Sequence, residues 1–421
     1  MPAGTNAAAL AAQKEAIEPE LPQMFLTASI FWGRTEVATD VVPVSSRPTR
    51  VPTLQSPGTS VSVAGFDGQP MGRGGAPQEV TAYIALASYL QASEWTLESD
   101  WASDSSQKAI QNYVTLTHTQ AFEAFGGYMD VLAQTDGSNT LDSVVSVTTG
   151  GILVNTANKF QNGQQVDIFA SVGGAYITTL TILSAAIDTN TLWMTTAIPG
   201  TVLAGMVIMV HGASGQANSG MLGLLYYDTN LNVGNYLGIP RASYPSQYIA
   251  NGINLNGASV TPSAIRAMQV LSFLAIGEQY TKAQPVVHCG PDMVMAWEAN
   301  SIGVTQAMRT EIKDTSLDML PKNVPKTIAG REILGGGLGN PRATPGRMDW
   351  LDLSDWQRVE MKPIDYVSFG GQTEFPIVGN DGGLVSSTIF YIACVTNLLC
   401  RQPRRQSFIT GAALPKYTFG R

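Results

Sequence analysis

Between Phe25 and Asp104 the chain carries Pro43, Pro48, Pro52 and Pro57, then the loop Asp67-Gly-Gln-Pro-Met-Gly-Arg-Gly-Gly-Ala-Pro77. Proline has no backbone N–H and a fixed φ, so neither a helix nor a central strand runs through such a stretch. Short β-type runs at 36–44 and 60–63 lie around these breaks, with no sustained apolar period. An irregular stretch of this length is uncommon inside a compact domain and is usually functional or ordered by a partner. It reads as an arm followed by a two-stranded excursion. The Ala-rich segment 7–17 before it predicts a short helix, ended by Pro19 and Pro22.

Regular patterns begin after residue 104. Asp104-Ser-Ser-Gln107 has the form of a capping box, and Ile110, Val114, Ala121, Phe125, Tyr128 and Leu132 then recur at helical spacing. The predicted helix runs to about Ala133, where Asp136-Gly137 closes it. From 138 to 220 Ser, Thr, Gly and Val dominate, and Asp142, Lys159, Asp167 and Asp188 are the only charged residues. Runs at 166–172, 175–183, 191–197 and 202–210 predict strands separated by turn residues, hence a small β-barrel or sandwich set between the helix and the last half of the chain. That last half is mixed. Thr261-Pro262 caps an amphipathic helix (Ile265, Met268, Leu271, Leu274, Ala275) that ends near Gly277. A short buried strand at 285–289 leads into a second helix at 293–300, and alternating runs at 361–367, 374–378, 384–395 and 407–411 close the chain.

Composition limits what this order of elements can do. A single core stops growing at roughly 250–300 residues, so the 421-residue chain calls for two cores or one with large excursions. Apolar residues make up 44% of it, but charged residues only 13%, about half of the roughly 25% usual in soluble domains. Either an uncharged polar surface or cover from neighbouring subunits accounts for that shortage, since interface cores are depleted in charge. The net charge of −8 argues against a protein whose main task is gripping nucleic acid. One local exception is the C-terminal run of Arg401, Arg404, Arg405, Lys416 and Arg421, which has no acid among it. Three cysteines, Cys289, Cys394 and Cys400, are too few for a disulfide framework and fit a reducing compartment. Residues 1–24 show no apolar leader, so no signal peptide is expected. The apolar runs 202–210 and 389–395 fall well short of the roughly 20 residues of a membrane span.

No reactive constellation assembles from this sequence. His118, His211 and His288 are far apart, and none has a second ligand at metal-binding spacing. Cys289 follows His288 on a predicted strand, where neighbours point to opposite faces. Cys394 and Cys400 read as buried structural thiols that share a face if one strand carries both. Gly335-Gly-Gly-Leu-Gly-Asn-Pro341 lacks the Gly-Lys-Ser/Thr of a phosphate loop and leads to prolines, so it reads as a loop or hinge. His211-Gly-Ala-Ser-Gly215 is one residue short of a nucleophile elbow. Asp349, Asp352 and Asp355 read as a solvated turn or helix start with a capping Asp, and the alternative is weak cation binding. Seven tryptophans are expected mainly in cores. Trp32, beside Arg34, is the exception, because an arm has no core to fill and Trp and Arg are favoured interface anchors.

The order of segments resembles the tailed-bacteriophage major capsid proteins, of the Hong-Kong-97-type fold, over most of the chain. Phe160-Gln-Asn-Gly163, Val166-Asp-Ile168 and Val207-Ile-Met-Val-His-Gly212 are similar to strands of the β insertion that several such proteins carry. Met221-Leu-Gly-Leu-Leu225 and Leu237-Gly-Ile-Pro-Arg-Ala242 resemble the segment re-entering the capsid core, and 286–300 the strand and helix after it. The resemblance implies an α+β fold with an N-terminal arm (1–24), an extended β-loop with flanking strands (25–104), a long spine helix of a peripheral domain (105–135) and an inserted all-β domain (138–220). An axial domain with the rest of the peripheral domain comes last (221–421).

It also implies a structural subunit without enzymatic activity or cofactor. Such a subunit forms hexamers and pentamers, which tile an icosahedral shell around double-stranded DNA in a virion assembled in the host cytoplasm. The partners implied are further copies of the chain, a separate scaffolding protein, a portal protein, packaged DNA in weak non-specific contact, and an optional decoration protein, with no membrane. Trp32, Arg34 and Arg73 are the candidate contacts between subunits, and Arg401, Arg404 and Arg405 the candidate basic contacts of the inner face. Some members cross-link through a lysine of the extended loop. No Lys occurs here between Lys14 and Lys108, so no such bond is expected. The short arm makes an internal scaffolding domain unexpected. An encapsulin-type shell shares the fold and is the alternative. A β-rich hydrolase or carbohydrate-binding module would need paired carboxylates, which the separated aspartates of 138–220 do not suggest.

Overall fold

The apolar stripe of the first long helix decides where the main core sits. The helix spans Tyr113–Leu132 and buries Ala121, Phe125, Met129 and Leu132 against a five-stranded sheet. Residues 29–41, 43, 48–56, 78–103, 113–277, 285–299, 327–378 and 384–414 are described by this computed structural model. The expected capping box at 104–107 and arm at 1–24 lie outside them, as do Arg73, Lys416 and Arg421.

Leu384–Cys400 is the central strand of that sheet. One flank pairs antiparallel with Trp356–Tyr366 and Glu374–Val378 in succession, and the other with Ala87–Thr96. Glu36–Val37 adds a short parallel edge beside Trp356–Tyr366. Both long strands run further than the apolar alternation at 361–367 and 384–395 predicts. At 396–400 the central strand is buried without a break, and a strand buried on both faces reads as a continuous run that alternation misses. The added residues of Trp356–Tyr366 pair with that end. The two-stranded excursion is present as an antiparallel pair, Thr49–Ser56 with Gln78–Ile84. Its base is held where Val51, Ala82 and Ile84 are buried, where the Tyr83 N–H donates to the Leu237 carbonyl at 3.0 Å, and where the Tyr248 hydroxyl meets Thr53 at 3.2 Å. The Leu237–Ala242 segment is itself braced by buried Arg241, which donates to the carbonyls of Tyr226 and Tyr248 and lies over the Tyr226 ring.

The charge-poor block forms one seven-stranded antiparallel sheet. Its strands include Thr140–Ser143, Gln165–Phe169, Tyr176–Ala186, Thr191–Met194 and Val207–Val210. The two end strands, Thr140–Ser143 and Ser146–Thr148, are joined by Val144 and Val145 alone, so the sheet curls back on itself around Ile152, Ile168, Leu180, Ile182, Leu192 and Ile208. A curled sheet of this kind fills its own interior and needs no charged cover. The chain enters it at Gly137 and leaves at Gly220, where the Gly220 N–H donates to the Gly137 carbonyl at 2.8 Å.

A second, smaller core lies on a four-stranded sheet in the order Asn251–Asn254, Ser407–Thr410, Met348–Leu351, Val286–Cys289. The helix Pro262–Ile276 and a helix over 291–299 supply Ile265, Met268, Met293 and Val294 to it. Thr261 caps the first of these by accepting the Ala264 N–H, and Gly277 ends it at φ +62°. Among the described residues no helix is long and apolar enough to cross a membrane.

Candidate functional site

Strand alternation sends His288 and Cys289 to opposite sides. Cys289 enters the second core, while the His288 ring faces Phe31 of the first, with ring centroids 5.6 Å apart. The two cores therefore meet at a layer that holds His288, and polar side chains fill it. Asp130, on the buried face of the long helix, accepts the backbone N–H groups of Phe31 and Trp32 at 2.6 and 2.8 Å. Asn340 donates to its other oxygen at 3.0 Å and lies 3.3 Å from His288 Nε2. His288 Nδ1 is 3.5 Å from Asp349 Oδ2. Arg347 then donates through Nε to Asp349 at 2.6 Å, reaches the Asp228 carboxylate at 3.3 Å, and lies over the Phe408 ring. Burial alone would raise the Asp349 carboxyl, but the Arg347 guanidinium and the His288 ring outweigh it and hold it below the usual range.

The sequence pointed to two of these groups, His288 and Asp349, and gave no role to Asp130, Asp228, Asn340 or Arg347. One signal was available: Asp130 interrupts the apolar run Met129-Asp-Val-Leu132 on a helix face that packs. An acid there needs buried donors. The glycine run at 335–341 has a packing role. It lies against the Val286–Cys289 strand, and a Cβ on Gly339, at φ +80°, would come 2.5 Å from the Cys289 carbonyl oxygen. That close approach delivers Asn340 into the layer.

The acids at 349, 352 and 355 are buried, which corrects the expectation of a solvated turn. Asp352 does cap the 3-10 turn Leu353–Asp355 by accepting the Ser354 N–H. Arginines answer them: Arg347 meets Asp349 at 2.6 Å, and Arg405 meets Asp352 at 3.2 Å and Asp355 at 3.1 Å. Burial pushes the Asp355 carboxyl up to about 6, with Arg405 pulling the other way. Cys394 and Cys400 do share one strand, and burial pushes the Cys394 thiol up to about 12. His211 is held through Nδ1 by buried Asp167 at 3.0 Å. His118 stacks on Phe390 at 3.9 Å and bonds the Tyr366 hydroxyl.

The expected subunit contacts fare differently from one another. Trp32 is 2% exposed, lies under the Arg358 guanidinium and belongs to the main core, so its ring is not on offer to a neighbour. The arm does find a core, because Asp130 anchors its backbone beside the long helix. Arg34 is exposed and reaches Glu332 at 2.8 Å. Of the basic candidates, Arg401 pairs with Asp40 and Gln357 and Arg405 with the two aspartates, while the Arg404 carbonyl accepts from Asn251. Elsewhere, the helix Pro262–Ile276 leaves Val270, Leu271, Phe273 and Leu274 exposed on one continuous side, Leu274 at 73%.

No protein-family model matches the sequence, and no curated protein does. Solved structures do. A chain of the cyanophage A-1(L) capsid asymmetric unit superposes with a TM-score of 0.53 at 12% identity, covering 94% of this chain and 96% of that one. The chain has a tailed-phage capsid fold of the Hong-Kong-97 type. The capsid of a native GTA particle matches at a TM-score of 0.49 and 11% identity, with 95% of each chain covered. The holo-SrpI encapsulin complex from Synechococcus elongatus matches at 0.45 and 8% identity, with 100% of each covered. Within this fold the polar layer is an internal joint between the two cores, and the exposed apolar helix face and Arg34 are features of the surface.

Proposed function

We propose that the chain is a major capsid protein that assembles as hexamers and pentamers into an icosahedral shell around double-stranded DNA. One observation carries this reading: the capsid fold extends over 94% of the chain. Surface chemistry supports it, since only 13% of residues are charged while Val270, Leu271, Phe273 and Leu274 stand exposed together on one helix. Apolar faces of that kind are the material of interfaces between subunits. In this reading 1–24 is the arm, 25–104 the extended loop with its flanks, 105–135 the spine helix and 138–220 an inserted β domain, with 221–421 supplying the axial domain and the remaining peripheral part. Arg34 and Arg73 are the remaining contacts expected between subunits, and Arg404 is the inner-face candidate for phosphate, since Arg401 and Arg405 are engaged by acids. A separate scaffolding protein, a portal protein and a decoration protein are the further partners, and the virion is the place of action.

Electron microscopy of the purified protein under assembly conditions tests the proposal. Closed shells are expected; a species that stays monomeric under every assembly condition sinks it. A second reading, an encapsulin-type shell around protein cargo, is favoured by one observation. Arg401 and Arg405, two of the cations that DNA phosphates would need, are already paired with Asp40, Asp352 and Asp355. The contents of particles isolated from cells, nucleic acid or protein, separate the two.

A further inference from the structure

The polar layer between the two cores holds three carboxyl groups against two guanidinium groups, with the His288 ring 3.5 Å from one of the acids, Asp349. Asp130, Asp228 and Asp349 face Arg342 and Arg347. Arg342 donates to the Gly127 carbonyl at 2.6 Å and balances Asp130 electrostatically. That leaves Arg347 between two acids. Its Nε is taken by Asp349 at 2.6 Å, and one amino group donates to the Asp228 backbone carbonyl at 2.6 Å while standing 3.3 Å from Asp228 Oδ2. The Asp228 side chain is fully buried, and among the described residues no N–H or O–H group donates to its carboxyl oxygens. Two ionised carboxylates sharing one guanidinium out of water is an arrangement whose desolvation cost nothing here offsets. A proton held between the two acids removes the second charge and supplies the missing donor.

We propose that Asp228 keeps a proton that it shares with Asp349, and that loss of this proton loosens the joint between the two cores. The joint is then a proton-controlled hinge inside the subunit. It works at one place because Asp228 caps the helix Leu224–Tyr227 on the first core, whereas Asp349 lies on the Met348–Leu351 strand of the second sheet. Burial and the neighbouring Asp349 push the Asp228 carboxyl well above the usual range, in keeping with the geometry. The other ionisable groups around the pair are His288 on the adjacent strand, the Cys289 thiol next to it with Asp292 beyond, the Cys400 thiol on the central strand, Asp352 and Asp355 with Arg405 below it, and Asp130 with Arg342 beyond Asn340. Asp352 and Asp355 also share one arginine, but both stand within 3.2 Å of Arg405. Asp228 is the one buried acid among the described residues with neither carboxyl oxygen reached by a hydrogen-bond donor.

The sign comes from linkage. A carboxyl whose pKa is raised by folding stabilises the folded joint fully below its unfolded value, and this contribution is lost as pH rises through the folded value. Hydrogen exchange read by mass spectrometry on the full chain tests the hinge, with rates corrected for the intrinsic pH dependence. In the wild type, segments 29–37, 286–289 and 348–351 are expected to lose protection as pH is raised through the elevated folded pKa of Asp228, by up to roughly tenfold per pH unit once the proton is released, while the seven-stranded sheet stays level. Asp228→Asn, which is neutral at every pH, is expected to hold these segments level. His288→Gln is expected to leave the alkaline loosening in place. The infrared C=O band of protonated carboxylic acids should be stronger in the wild type at neutral pH than in Asp228→Asn, by the Asp228 contribution. Should that variant not fold, Asp349→Asn leaves Arg347 one acid and is expected to flatten the profile likewise. A wild type whose protonated band is no stronger than that of whichever neutral variant folds, or parallel loss of protection in the two, overturns the proposal.

Discussion

Single buried residues set the internal joint of this fold, and Asp130 is the most heavily used. Its carboxylate satisfies two backbone N–H groups of the arm and one amide of Asn340. Each buried donor left without a partner costs about 1–3 kcal/mol. Asp130→Ala is therefore expected to lower stability by about 3 kcal/mol or more, measured by denaturant unfolding, with protection of residues 29–37 lost first. Asp355 offers a pH test of the opposite edge. Its folded pKa of about 6 lies above the unfolded value of about 3.9, so its contribution is complete in acid and fades as pH rises through about 6. Asp355→Asn should remove that part of the stability profile in melting experiments run across the range. Neither residue announces its role in sequence. A buried carboxylate is recognised by its donors, and here they come from the arm, from the Asn340 loop or from Arg405, far away along the chain.

At the level of elements, local pattern and final structure agree where one face of an element is buried and the other is wet. The helix Pro262–Ile276 has its Thr261 cap, its first-turn proline and its Gly277 stop where the sequence places them, but of its expected apolar face Ile265 and Met268 are buried while Leu271 and Leu274 stand exposed. The turn residues Asn162-Gly163 and Asp188-Thr-Asn190 do separate strands of the curled sheet. Agreement weakens in the middle of the main sheet, since Leu384–Cys400 is bonded on both flanks and its reach is set by its partners. The glycine loop was legible as a loop, but its purpose depends on the strand beneath it. Gly339→Ala forces a Cβ against the Cys289 carbonyl at a φ that side chains resist. It is expected to cost roughly 2 kcal/mol or more, seen as a lower unfolding midpoint with displaced Asn340 contacts. Trp356, fully buried between Phe31 and Tyr227, should lose about 3–5 kcal/mol on truncation to Ala.

For the whole molecule, the proposed shell would use the scarce charge and exposed apolar residues as contacts with other copies of the chain. Leu274→Asp changes an exposed position and is expected to leave monomer stability within about 0.5 kcal/mol while lowering shell yield in electron micrographs. Shells boiled in denaturant are expected to run as a single monomer band on a gel, because no lysine lies between Lys14 and Lys108 to link neighbours; a ladder of linked species would contradict this. By itself the sequence determined much of the succession of elements and the charge-poor β block, because caps, turns and periodicity are local and act wherever a segment finds itself. Only the tertiary structure decided that Trp32 fills a core, that Arg401 and Arg405 are paired, and that two cores meet across Asp130, His288, Asp349 and Asp228. Those outcomes depend on which distant groups share a desolvated space, where one unmatched charge outweighs any local preference.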